Sequence, residues 1–174
     1  MTWEIDPVHS NATFSVRHAM VATVRGQFKV ISGKLEIDEQ HPENSVVEAQ
    51  AETASIDTHE PNRDAHLRSP DFFDADTYPT ITFKSTKVES TGSDTYRVQG
   101  VLDMHGVQKD VVFDAEYAGQ QKDAYGMTRA GLSATSRINR KDFGLNWNAA
   151  LEAGGVLVSD NVKIEIDLSA VQKA

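Results

Sequence analysis

Apolar and polar residues alternate with a period of two along most of this chain, and each alternating run ends in turn-forming residues. Val46–Ile56 shows this most openly: Val47, Ala49, Ala51, Thr53 and Ser55 share one face, and Glu48, Gln50 and Glu52 the other. In Asp160–Val171, Val162, Ile164, Ile166 and Leu168 oppose Lys163, Glu165 and Asp167. The pattern also runs through Ala12–His18, Gln27–Ile37, Thr80–Glu89, Tyr96–Met104, Lys109–Ala118 and Thr128–Ile138. Successive side chains of a strand point to opposite sides, so one apolar and one polar face predicts a half-buried antiparallel strand. Breaks at Gly92-Ser93-Asp94, His105-Gly106, Gly119 to Gly126 and Gly154-Gly155 supply turn chemistry. The chain therefore reads as all-β, with about eight strands in one domain spanning residues 1–174. Strands this long and evenly spaced favour a closed barrel over a sandwich, whose strands run shorter.

One stretch interrupts the alternation. Asn62–Pro79 is dense in charge, aromatics and proline. Pro61 and Pro70 each suit the first turn of a helix, where a fixed φ and a missing N–H cost nothing. Ser69 is placed to cap the second turn, with Asp71 and Asp74 near its positive end. Tyr78-Pro79 then forces extended backbone. The prediction is a short helical insertion of two turns near residues 61–76. It either presses Phe72 and Phe73 as a plug against an apolar interior or merely caps an ordinary core.

The inward faces decide what such a barrel holds. Eight strands enclose a space that side chains can fill or that one slender ligand can occupy. A packed interior needs large aliphatics throughout. Here the inner positions are rich in small residues: Gly33, Ala49, Ala51, Gly100, Ala115, Ala130 and Ala134. Phe14, Val16, Phe83, Val111, Phe113, Tyr117 and Leu132 line the rest. Either the small residues leave a lumen, or they mark places where strands cross tightly.

Composition narrows the classes. The net charge of -9 lacks the basic face that a nucleic-acid partner requires. The absence of cysteine removes disulfides, thiolate catalysis and cysteine metal sites. No apolar run reaches the roughly 18–20 residues of a membrane-spanning helix. Met1–Asp6 lacks the basic and apolar regions of a signal peptide. The expectation is a cytoplasmic protein, or a periplasmic one if Met1 is not its natural start.

Catalytic motifs are sparse. His59-Glu60-Pro61-Asn62-Arg63 begins like the zinc-protease H-E-x-x-H, but Arg63 stands where the second histidine belongs. The serine-hydrolase elbow and the glycine-rich phosphate loops are missing. Asp103 and His105 share a strand face beside a turn and read as a solvated strand end. His18 shares the face of Phe14 and Val16, as a backbone-satisfied rim histidine or as a contact for a ligand's polar end, with Arg17 and Arg25 nearby for an anionic head. Leu145 and Trp147 are placed to close one end of the barrel, and Ala149–Val158 reads as a lid or a subunit contact.

Several motifs together carry a resemblance. Asp6-Pro7-x-His9-Ser10, Phe14-Ser15-Val16-Arg17-His18-x-Met20, Val24-Arg25-Gly26-x-Phe28 and Gly33-x-Leu35 open the chain. Arg63-Asp64-x-His66-Leu67-x-Ser69-x-Asp71-Phe72-Phe73-Asp74 and Tyr78-Pro79 fill the insertion. Gly106-Val107-x-Lys109 and Ile138-Asn139-Arg140-x-Asp142-Phe143-Gly144-Leu145-x-Trp147-Asn148 follow. From about Asp6 to Leu168 the chain resembles the YceI-like, lipocalin-like polyisoprenoid-binding proteins. The resemblance implies an elongated eight-stranded antiparallel lipocalin-like barrel, often a homodimer, with a long isoprenoid chain threaded through its lumen. It implies transport or storage of that lipid, or of another long-chain, quinone-like amphiphile, without catalysis or cofactor. Many members carry a signal peptide, and from Met1–Asp6 this chain is expected to have none.

From the strand faces, Phe14, Val16, Ala49, Ala51, Phe83, Phe113 and Leu132 are expected to line the tunnel. Phe72, Phe73 and Trp147 would close it, Arg17 and His18 would meet the head group, and Met20 completes the ligand-binding set. Two other readings stay open. One is an enzyme acting at Arg63, Asp64 and His66; the other is a stress-linked interaction scaffold whose lumen is filled by its own side chains.

Overall fold

In the computed structural model, which describes residues 2–19, 21–148 and 158–173, the alternating runs form eleven strand segments. In chain order these are β1 (Thr2–Ile5), β2 (Asn11–His18), β3 (Ala22–Phe28), β4 (Ile31–Glu36), β5 (Val46–Glu52) and β6 (Ile56–Asp57). After helix α1 (Pro61–Arg68) come β7 (Thr80–Ser90), β8 (Thr95–Met104), β9 (Val107–Lys122), β10 (Thr128–Asn139) and β11 (Val158–Gln172). Three pairs act as single broken strands. β1 lies between β4 and β11, while β2 lies between β3 and β11 further along. β5 joins β4 to β7, and its continuation β6 pairs with β3. The result is a closed, eight-stranded, up-and-down antiparallel barrel with its unpaired edges removed.

Local chemistry explains where the expected boundaries shift. Gln27–Ile37 is two strands rather than one, because Lys29 N and Val30 N turn aside to the carbonyl and hydroxyl of Ser55. β9 runs on to Lys122, beyond the predicted break at Gly119. Gly119, at φ 93°, takes up an irregularity in the ladder, and the turn falls at Asp123, whose carboxylate accepts from Tyr125 N and Met127 N. β1 escapes a reading by periodicity, since four residues are too few to show one.

The insertion forms one helix from Pro61, and from Pro70 a run of hydrogen-bonded turns in place of the expected second helical turn. Pro61 opens it as expected, but the cap is the Glu60 carboxylate, which accepts from Asn62 N and Arg63 N. Ser69 serves both sides: its hydroxyl donates to the His66 carbonyl at 2.6 Å, ending this helix, and accepts from Asp71 N at 3.3 Å as the expected cap of the turn that follows. Pro70 therefore begins a run of turns, and Asp74, in the left-handed region at φ 47°, prevents a second helix.

Two buried clusters fill the walls. One gathers Ile81, Leu102, Met104, Phe113, Phe143 and Leu145 towards the α1 end; the other packs Trp3, Ile5, Leu35, Ala130 and Ala170 towards the chain termini. The small inner residues divide between the two roles left open by the sequence. Gly33 and Gly100 mark tight crossings: a Cβ at Gly33 would strike the Glu48 carbonyl, and one at Gly100 the Phe83 ring. Ala49, Ala51, Ala115 and Ala134 instead border an open space.

Candidate functional site: an apolar lumen

That space is a cavity of about 170 Å³ inside the barrel. Ala49 and Ala51 of β5, Phe83 of β7, Phe113 of β9 and Leu132 of β10 form its wall with Phe14 of β2. Phe83 and Phe113 meet edge to face with centroids 5.2 Å apart. Ile31, Leu102, Met104, Ile164, Ile166 and Leu168 also line it. Of these, Ile164, Ile166 and Leu168 were legible in the alternation of the last strand.

The two ends of the barrel differ. At the end bearing α1, Phe14 packs on Phe28 with centroids 5.7 Å apart, and Phe73 meets Phe28 edge to face at 5.8 Å. Phe72 is buried beside His66 and Trp147 in a triangle of rings 4.7 to 5.3 Å apart. Phe73 thus backs the ring that lines the cavity, while Phe72 and Trp147 hold α1 in place. Val16, Arg17 and His18 lie at this same end but outside the cavity wall. Arg17 is exposed, with Nη1 3.5 Å from the Thr23 hydroxyl; His18 is half-buried and pairs with Ala22 and Val158. Met20 and most of Ala149–Val158 lie outside the described residues.

At the opposite end, the loop between β4 and β5 borders a polar cleft of about 650 Å³. Glu39 there accepts hydrogen bonds from Tyr117 Oη at 2.9 Å and Gln120 Nε2 at 2.7 Å. Burial, reinforced by the Glu39 carboxylate, pushes the Tyr117 phenol up to about 12. Glu39 and Gln120 were not foreseen, because contacts across nearly 80 residues leave no periodic trace.

A model of the YceI-like domain matches residues 3–170. The chain belongs to the YceI-like family. A UPF0312 protein of Vibrio cholerae is 36% identical over 165 residues, covering 95% of this chain and 83% of that protein. Among solved structures, the barrel is similar to Burkholderia cenocepacia BcnA, with a TM-score of 0.84, 22% identity and coverage of 95% and 98% of the two chains. It also resembles a polyisoprenoid binding domain from Saccharophagus degradans, with a TM-score of 0.73, 17% identity and 98% of each chain covered.

In this YceI-like barrel Arg63, Asp64 and His66 of the insertion are occupied in holding the fold. Asp64, buried, accepts from the backbone N and hydroxyl of Thr58. Arg63 donates to the Thr58 hydroxyl and carbonyl, both at 2.8 Å. His66 Nε2 lies 2.8 Å from the Asp71 carboxylate. His105 donates from Nδ1 to the Phe143 carbonyl at 2.9 Å, tying the β8–β9 turn to the segment after β10. Arg140, 4% exposed, donates to the carbonyls of Leu145, Trp147, Val158 and Ser159. It thereby fastens the segment after β10 to the start of β11. Burial draws this guanidinium down from its ordinary value, with the charge of Asp160 opposing.

Proposed function

We propose that this protein holds the apolar chain of an isoprenoid lipid, or of a quinone-like long-chain amphiphile, in its lumen for transport or storage. The observation that carries this reading is the apolar cavity within a closed barrel, bordered by alanines where a packed core would place large aliphatics. Burial of prenyl surface at roughly 25 cal/mol per Å² supplies several kcal/mol for each few isoprene units, enough to hold a chain after ordering costs. The name of the similar Saccharophagus domain, a polyisoprenoid binding domain, agrees with this cargo. A binding role without catalysis is supported by Arg63, Asp64 and His66, each of which is tied to a structural partner. The protein is proposed to work as a homodimer, following its family resemblance.

Native mass spectrometry of protein purified from cells, followed by organic extraction, tests the reading. The expected result is an adduct of several hundred daltons that extracts as a prenyl chain or quinone, and the same spectrum reads the dimer. A clean unliganded mass, with no uptake when isoprenoids are added back, would overturn it.

A further inference from the structure

We infer that the ligand's head group lies at the β4–β5 end of the barrel, beside Glu39, Tyr117 and Gln120, and that this end selects uncharged, hydrogen-bonding heads over phosphate or carboxylate. The inference rests on the lumen reading above. The polar cleft and the apolar cavity share Leu35, Val47, Val98, Ala115 and Leu132, so the wall of one runs directly into the other. At the α1 end the corresponding path meets Phe14, Phe28 and Phe73, packed on one another at tilted and edge-to-face angles. An amphiphile whose chain fills the cavity therefore finds polar surroundings for its head beside Glu39.

The charge of that opening is one-signed. Its charged lining residues are Glu36, Asp38, Glu39 and Asp94, and among the described residues no lysine or arginine lines it. Arg129, on the strand beside it, is committed to Asp6 and Asp123 at 2.7 Å each. An anionic head beside these carboxylates meets like-charge repulsion against a low-dielectric wall. An alcohol can instead donate to the Glu39 carboxylate and accept from the second N–H of the Gln120 amide, and a quinone carbonyl can accept from that same N–H, while the single Tyr117 O–H stays on Glu39. The Tyr117 phenol stays neutral well above physiological pH, so it keeps its hydrogen bond to Glu39 and adds no further charge to the opening.

Binding of geranylgeraniol and of geranylgeranyl monophosphate, each followed by native mass spectrometry and by competition at low salt, tests this. The alcohol is expected to bind at least about ten-fold tighter, with the gap shrinking as salt screens the carboxylates. Glu39→Lys, at an exposed position, is expected to raise phosphate affinity about ten-fold and to weaken the alcohol, whose acceptor it removes, so the preference falls on both counts. Glu39→Gln should move the ratio the same way by less. Equal or tighter binding of the phosphate by the unaltered protein would overturn the inference, and so would a ratio unmoved by Glu39→Lys. Failure of both compounds to bind would overturn the lumen reading itself, and this inference with it.

Discussion

Replacing Ala51 by tryptophan should abolish prenyl binding and leave the barrel standing. Ala51 sits on β5 between Ile31 of β4 and Ile81 of β7, and its methyl group borders the cavity. An indole there would occupy much of the roughly 170 Å³ available and block the passage between the two ends. Excluding a single five-carbon isoprene unit, at about 0.8 kcal/mol per carbon, forfeits about 4 kcal/mol. At about 1.4 kcal/mol per decade, that is a loss on the order of a thousand-fold in Kd. The fold should tolerate the change, because the added ring enters space rather than packed neighbours. Crowding costs of about 1–3 kcal/mol correspond to a fall in Tm of no more than about 10 °C. Titration with geranylgeraniol, alongside thermal melts, measures both quantities. Val112→Trp, on the exposed face of β9, controls for the ring itself and should bind normally. A folded Ala51→Trp protein with unaltered affinity would refute the placement of the chain in the lumen.

Three further outcomes follow from the geometry. Arg140→Met strands the four carbonyls that the guanidinium satisfies and should cost roughly 3–5 kcal/mol in urea unfolding, with Arg140→Lys recovering part of it; a Met variant as stable as its parent would show that these bonds are idle. Gly33→Ala should lose at least about 1–3 kcal/mol, read as a lower urea midpoint at constant m, because φ of 151° and the Glu48 carbonyl leave no room for a Cβ. Asp6 is held well below the usual carboxylate range by hydrogen bonds from His9 first and then Arg129. Its contribution is therefore fully present above about pH 4, the unfolded value, and is lost as pH falls towards its depressed folded value. Asp6→Asn should lower stability at neutral pH and flatten the acid limb of the melting profile; an unchanged limb would mean the pair is uncoupled from folding.

The sequence alone determined the barrel and one wall of its cavity. A period of two is a local property of strands, so the inward positions of Ala49, Ala51, Phe113 and Leu132 could be read without knowing which strand lies beside which. The turn residues and strand lengths were equally local, and the motif set pointed to the family. Local chemistry showed half of Ser69, whose hydroxyl suits either end of a helix: it accepts from Asp71 N as a cap of the next turn does, and also donates to the His66 carbonyl at the end of α1. Only the tertiary structure decided what the small residues do, since a missing side chain marks a void at Ala51 and a collision avoided at Gly33. It alone decided which end of the lumen is polar. Arg17 and His18, on the same strand as the cavity residue Phe14, belong to the end closed by rings, while Glu39 meets Tyr117 and Gln120 across nearly 80 residues of chain. Periodicity reports which face a residue occupies; which residues meet at the end of a barrel depends on where its strands close.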